Sequence, residues 1–138
     1  MSEWVSIYWV APITAWLVAQ VAKIVLAHIQ GSPKESRPTI ISSGNMPSSH
    51  SAITMALLVV VGAINGLHSA EFGIAFVLTS IAIYDALNVR RAVGEQGEVL
   101  KSLTKGQQFY TAIGHRPSEV VAGSIVGIAV AFILLQIL

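Results

Sequence analysis

Cysteine is absent from the 138 residues of this chain, and charge is scarce, with Lys, Arg, Asp and Glu making up 11% against roughly 25% in an average soluble domain. The first absence excludes disulfides, thiolate metal sites and a cysteine nucleophile, and it leaves the redox compartment open. The second, alongside 54% hydrophobic residues, excludes an ordinary soluble domain and points to an integral membrane protein. A net charge of +1 gives no reason to expect a nucleic-acid partner. Internal repeats are lacking too, and residues 1–138 amount to one compact unit's worth of chain, so a single membrane-embedded domain is expected. The N-terminal apolar run has no basic start and is too long for a signal peptide, so it reads as a retained span.

What is present is apolar sequence in four blocks: Trp4 to Ile29, Ser51 to Leu67, Phe72 to Val89, and Val120 to Leu138. Each approaches the ~20 residues that cross a bilayer as a helix, and only helices or closed barrels satisfy their backbone there. The fold expected is therefore all-α, an integral membrane bundle of four transmembrane helices. A short hairpin around Gly66, His68 and Glu71 joins the second and third, whereas the other two connections are long and polar. The stretch Gly94 to Pro117 mixes Val99, Leu100, Leu103, Phe109, Tyr110 and Ile113 with Lys, Gln and Glu, the pattern of an amphipathic helix lying on the membrane. Trp4, Tyr8 and Trp9 suit an aromatic belt at the opposite end.

Lys34, Arg37, Arg90, Arg91, Lys101, Lys105 and Arg116 all fall in the two long connections. The positive-inside rule then makes those connections, and the amphipathic segment with them, cytoplasmic, with both termini outside. Setting aside the arginines that could serve chemistry leaves Lys34, Lys101 and Lys105 pointing the same way.

Chemistry gathers on that face. Met46-Pro47-Ser48-Ser49-His50-Ser51-Ala52 is a polar turn before an apolar run, and it reads as a helix start with Ser48 or Ser49 as N-cap. Free N–H groups at such a start receive anions, and His50 beside them could donate a proton. In isolation the same turn could be no more than a capped helix whose histidine bonds a carbonyl. Ionisable groups inside spans usually face a partner or a polar cavity; here they are Lys23 and Asp85, with Gln20 and Asn88 extending the same polar stripes. Lys23 could pair with Asp85, snorkel, or line a site, whereas Asp85, five residues before Arg90, is better placed to support the arginine pair. His115 and Glu119 open the fourth span four residues apart, so the carboxylate can hold one ring N–H and leave the other nitrogen free as a nucleophile. No third metal ligand of the usual kind accompanies them, so neither metal nor other cofactor is expected. Two histidines at two helix mouths among several cations suit a phosphate.

In this order the motifs resemble the divergent type 2 phosphatidic acid phosphatase family, small membrane relatives of the lipid phosphate phosphatases and vanadium haloperoxidases. The superfamily pattern is a lysine then Arg-Pro, Pro-Ser-Gly-His, and Ser-Arg with a histidine and an aspartate four residues on. Arg37-Pro38, Pro47-Ser48-Ser49-His50, Arg90-Arg91 and His115 with Glu119 stand in for these, and the likeness runs from Ala19-Gln20-Val21-Ala22-Lys23 through Tyr84-Asp85 to Ala122-Gly123. Ser49 replaces the usual glycine and Glu119 the aspartate. Spacing alone would put the later arginine at Phe109, so Arg90, with Arg91 as the alternative, takes that role. It would likewise put the first lysine at Gln30, so Lys23 or Lys34 substitutes.

The resemblance implies metal-independent hydrolysis of a lipid phosphomonoester or pyrophosphate through a phosphohistidine on His115. His50 would be the proton donor, Glu119 the orienting group, and Arg37, Arg90, Arg91, Lys23, Lys34, Ser48 and Ser49 the phosphate seat. Having fewer core helices than its relatives, the chain is expected to form a homo-oligomer, a dimer by preference, in the inner membrane of a bacterium. The alternative is a non-catalytic membrane protein that binds phosphate or lipid head groups on the same fold.

Overall fold

The computed structural model describes residues 2–29, 46–103 and 116–137. All regular structure among them is helical: α1 (Ser2–Ile29), α2 (Ser49–Asn65), α3 (Ala70–Tyr84), a turn of π-helix (Asp85–Val89), α4 (Arg90–Leu103) and α5 (Pro117–Ile137). Three segments are long and apolar enough to cross a membrane, Ile7–Ile29, Ala70–Leu100 and Pro117–Ile137. α2 is as apolar as the others, but its 17 residues rise about 25 Å against a hydrocarbon core of about 30 Å.

Small residues at four-residue spacing set the packing. On α1, Ile7, Ala11, Ala15 and Ala19 are fully buried, and on α2 so are Ala52, Ala56 and Val60. α5 presents Gly123, Gly127 and Ala131 on one buried stripe. Helices in lipid gain nothing by hiding apolar surface from one another, so they associate where small side chains let backbones approach. The approach here is extreme: a Cβ built on Gly127 would lie 2.3 Å from the Ala52 carbonyl oxygen. α2 is the centre of the bundle and packs on α1, α3 and α5, while α1 also packs on α5. Tyr8 donates its hydroxyl to Asn65 Oδ1, joining α1 to the far end of α2. Trp9, the next residue, is 70% exposed, as an interfacial residue requires.

The α2–α3 hairpin is tight for local reasons. Gly66 ends α2 at φ 86°, a conformation that costs glycine little. Ser69 then caps α3, accepting the Phe72 N–H at 3.1 Å and donating to the Gly66 carbonyl at 2.8 Å. Further along, Thr79 donates to the Thr54 carbonyl at 3.1 Å, tying α3 to α2.

One expectation needs correction. The third span does not end at Val89 ahead of a separate amphipathic segment beginning at Gly94; helix continues through the π-turn into α4 without a break. From Ala70 to Leu103 this run is about 50 Å long, more than a bilayer core accommodates upright. α4 keeps the expected two-faced character, with Val93, Val99, Leu100 and Leu103 exposed and Arg91 paired with Glu95. The remainder of the Gly94 to Pro117 stretch, from 104 to 115, lies outside the described residues.

Candidate anion site at the helix mouths

The starts of α2 and α5, the last third of α1 and the π-turn lie at one end of the bundle. Ser48 is the N-cap of α2: in extended conformation (φ −67°, ψ 116°) it accepts the Ser51 N–H at 3.4 Å and the Ser51 hydroxyl at 3.1 Å. Ser48 is fully buried and Ser51 1% exposed. The Ser48 N–H crosses to α5 and donates to the Glu119 carbonyl at 2.9 Å. At the head of α5 one Glu119 carboxylate oxygen accepts the Arg116 N–H at 3.2 Å, a reach back across the first turn like that of a capping box.

Lys23 enters this junction from α1. It is 5% exposed, and its ammonium donates to Ser49 Oγ at 3.4 Å, with the Glu119 carboxylate as the neighbouring acidic charge. Gln20, one turn earlier on the same face, is also buried. Lys23 therefore does not snorkel. It stands six residues before the end of α1, about 9 Å below it, and α2 begins deep enough in the bundle for Ser49 to meet it there.

Of the residues singled out from sequence, the fold thus brings Lys23, Ser48, Ser49 and Glu119 together. His50 is exposed. Ser48 and Ala52 face α5, and His50, two residues from each, takes the opposite side of α2; its carbonyl accepts the Thr54 hydroxyl at 3.0 Å. Arg91 points outward and pairs with Glu95 at 3.0 Å, with both side chains about two-thirds exposed. Asp85 is half-buried at the head of the π-turn, the part of the third helical run that packs toward α5. Lys34, Arg37 and His115 lie outside the described residues, as does the side chain of Arg90. A single π-turn of this kind is common at functional sites.

Sequence reasoning passed over Ser51, which completes the cap, and gave Gly123 no task. The signal was present: small residues recur every four positions from Ser48 to Ala56 and from Gly123 to Ala131.

The sequence profile of the divergent PAP2 family matches residues 6–130. The uncharacterised membrane protein YuiD of Bacillus subtilis (strain 168) is 32% identical over 142 residues, covering 88% of this chain and 89% of that protein. No solved structure matches. The chain belongs to the divergent PAP2 family.

Proposed function

From that membership we propose that the protein is a metal-independent lipid phosphate phosphatase working through a phosphohistidine on His115. The observation that carries this reading is the junction of Lys23, Ser48 and Ser49: a buried cation held against a helix mouth, beside the first turn of α5. Such a place attracts a dianion and disfavours a cation or a neutral group. In the reaction a free ring nitrogen of His115 attacks phosphorus, the P–O bond to the lipid breaks, and the departing oxygen takes a proton from His50. Water then attacks the phosphohistidine, releasing phosphate and regenerating His115. Glu119 holds the other ring N–H of His115. Arg37, with Arg90 rather than Arg91, neutralises the phosphoryl oxygens, and Asp85 steadies Arg90. Arg90 is preferred because Arg91 is spent on Glu95.

The test is phosphate release by the purified protein from a panel of long-chain lipid phosphomonoesters and pyrophosphates, in chelator, with vanadate as competitor. Release that persists in chelator and is inhibited by vanadate is expected. Vanadate binding with no turnover of any substrate would favour the second reading, a phosphate or head-group binder. The outward Arg91 and the placement of His50 away from α5 support that alternative.

In the same proposal α2 is a fourth transmembrane helix in a dimer, α4 carries the third helical run out of the bilayer on the cytoplasmic side, and the site opens to the cytoplasm of a bacterial inner membrane. A biosynthetic intermediate of the inner leaflet is then the accessible substrate. Single cysteines placed at Ser2 and Lys101, in a chain that has none, report the orientation. An impermeant thiol reagent should label Ser2→Cys in intact cells and spare Lys101→Cys. The reverse pattern would return outer-leaflet carrier lipids to the front.

A further inference from the structure

We propose that Gly123 is a positioning residue of the anion site, fixing the start of α2 against the first turn of α5. The inference rests on the phosphatase reading for its consequence, though not for its geometry. A Cβ at position 123 would lie 2.2 Å from the Ser48 carbonyl oxygen, 3.0 Å from its carbonyl carbon and 3.1 Å from its nitrogen. All three are backbone atoms at a helix start, so no side-chain rotation can clear the space. Reaching ordinary contact requires the two helices to part by about 1 Å, a misplacement able to cost a site on the order of 10²-fold.

The polar link at risk is adjacent. Ser48 N–H donates to the Glu119 carbonyl at 2.9 Å, one turn before Gly123 on the same helix, and parting by about 1 Å takes that bond beyond hydrogen-bonding range. Ser48 is also the N-cap, and Ser49 is the partner of Lys23. The close approach at Gly123 therefore sets where Ser48 and Ser49 stand relative to Lys23 and Glu119.

Gly127 is an internal control. Its added Cβ would meet the Ala52 carbonyl oxygen at 2.3 Å, an equal clash one turn deeper. That contact falls on Ala52, whose N–H donates to the Ser48 carbonyl at 3.1 Å, one turn removed from the Ser48 N–H and the Ser49 hydroxyl.

Gly123→Ala and Gly127→Ala should lower Tm by similar amounts. Only Gly123→Ala should weaken vanadate inhibition, by about 10²-fold, with Gly127→Ala within about threefold of the parent. A readout independent of turnover is exchange of the Ser48 amide proton, measured by NMR on the detergent-solubilised chain. It should be slow in the parent and in Gly127→Ala and fast in Gly123→Ala. Equal effects of the two alanines on vanadate inhibition or on Ser48 exchange would overturn the proposal. If the parent neither hydrolyses lipid phosphates nor responds to vanadate, the phosphatase reading falls and Ser48 exchange alone decides the positioning role.

Should Gly123→Ala fail to fold, Ser48 offers a second route. Its φ of −67° suits proline, whose ring carbon takes the place of the N–H, so Ser48→Pro deletes the donor to Glu119 and presses that carbon against the Glu119 carbonyl oxygen, 2.9 Å from the nitrogen, parting the two helices, whereas Ser48→Ala keeps the link. Both lose the hydroxyl. Vanadate inhibition at least tenfold weaker in the proline variant supports the link, and equal inhibition in the two overturns it.

Discussion

Replacing His115 by alanine is expected to reduce phosphate release from a lipid phosphate to background, a loss of about 10⁴-fold or more, because no other group in the proposed scheme can carry the phosphoryl group. Glu119→Gln should cost less, roughly 10-fold to 10²-fold. The structure gives the reason for the difference. Glu119 also accepts the Arg116 N–H at the head of α5, and glutamine can serve in the same capping position, so the helix start survives, while in the proposed scheme the ring of His115 loses its charged partner. His50→Ala should hurt most with poor leaving groups, whose departing oxygen needs the proton. The measurement is kcat for each variant on two lipid phosphates that differ in leaving-group pKa. Full activity in His115→Ala would sink the phosphohistidine mechanism.

The helices were legible in the sequence because their signals are local. Pro47-Ser48-Ser49 ahead of an apolar run announced the start of α2, and Ser48 is its cap. Gly66, His68 and Glu71 marked the hairpin; Gly66 adopts the φ its residue type favours, and Ser69, which was not singled out, supplies the cap. The continuity of α3 with α4 was not legible. Arg90, Arg91 and Gly94 look like the end of a span, but charge ends burial in lipid and does not end a helix. No proline follows until Pro117 to stop it.

Within the site, the residue types could be read and their depths could not. Whether Lys23 reaches Ser49 depends on how far α2 sinks beside α1, which is decided by Ala15, Ala19, Ala52 and Ala56 meeting across a helix pair. That is a long-range packing fact, carried by alanines and glycines with no chemistry of their own. The same holds for His50: its neighbours in sequence placed it at a helix mouth, but only the contact of Ser48 and Ala52 with α5 reveals which side of α2 it occupies.

Lys23 then offers the sharpest division between a structural and a functional cation. A lysine within a span costs about 2.5–3.5 kcal/mol at mid-membrane, so a cation kept only for packing is replaceable by an apolar side chain of similar length. Lys23→Met retains the volume and removes the charge. If Lys23 holds a phosphoryl oxygen, this variant should keep its Tm within a few degrees of the parent, because relief of the buried charge offsets the lost bond to Ser49 and the lost counter-charge to Glu119. Its affinity for vanadate should fall by on the order of 10²-fold, the worth of a hydrogen bond between charged partners that loses its cation. Glu119 adds to that loss, since its carboxylate is left to repel the incoming anion. Lys23→Arg should recover little, because a planar fork needs room that the Ser49 side of the junction does not leave for a residue already 5% exposed. Unchanged vanadate inhibition in Lys23→Met, whatever its Tm, would make Lys23 a structural residue and pass its assigned role to Lys34.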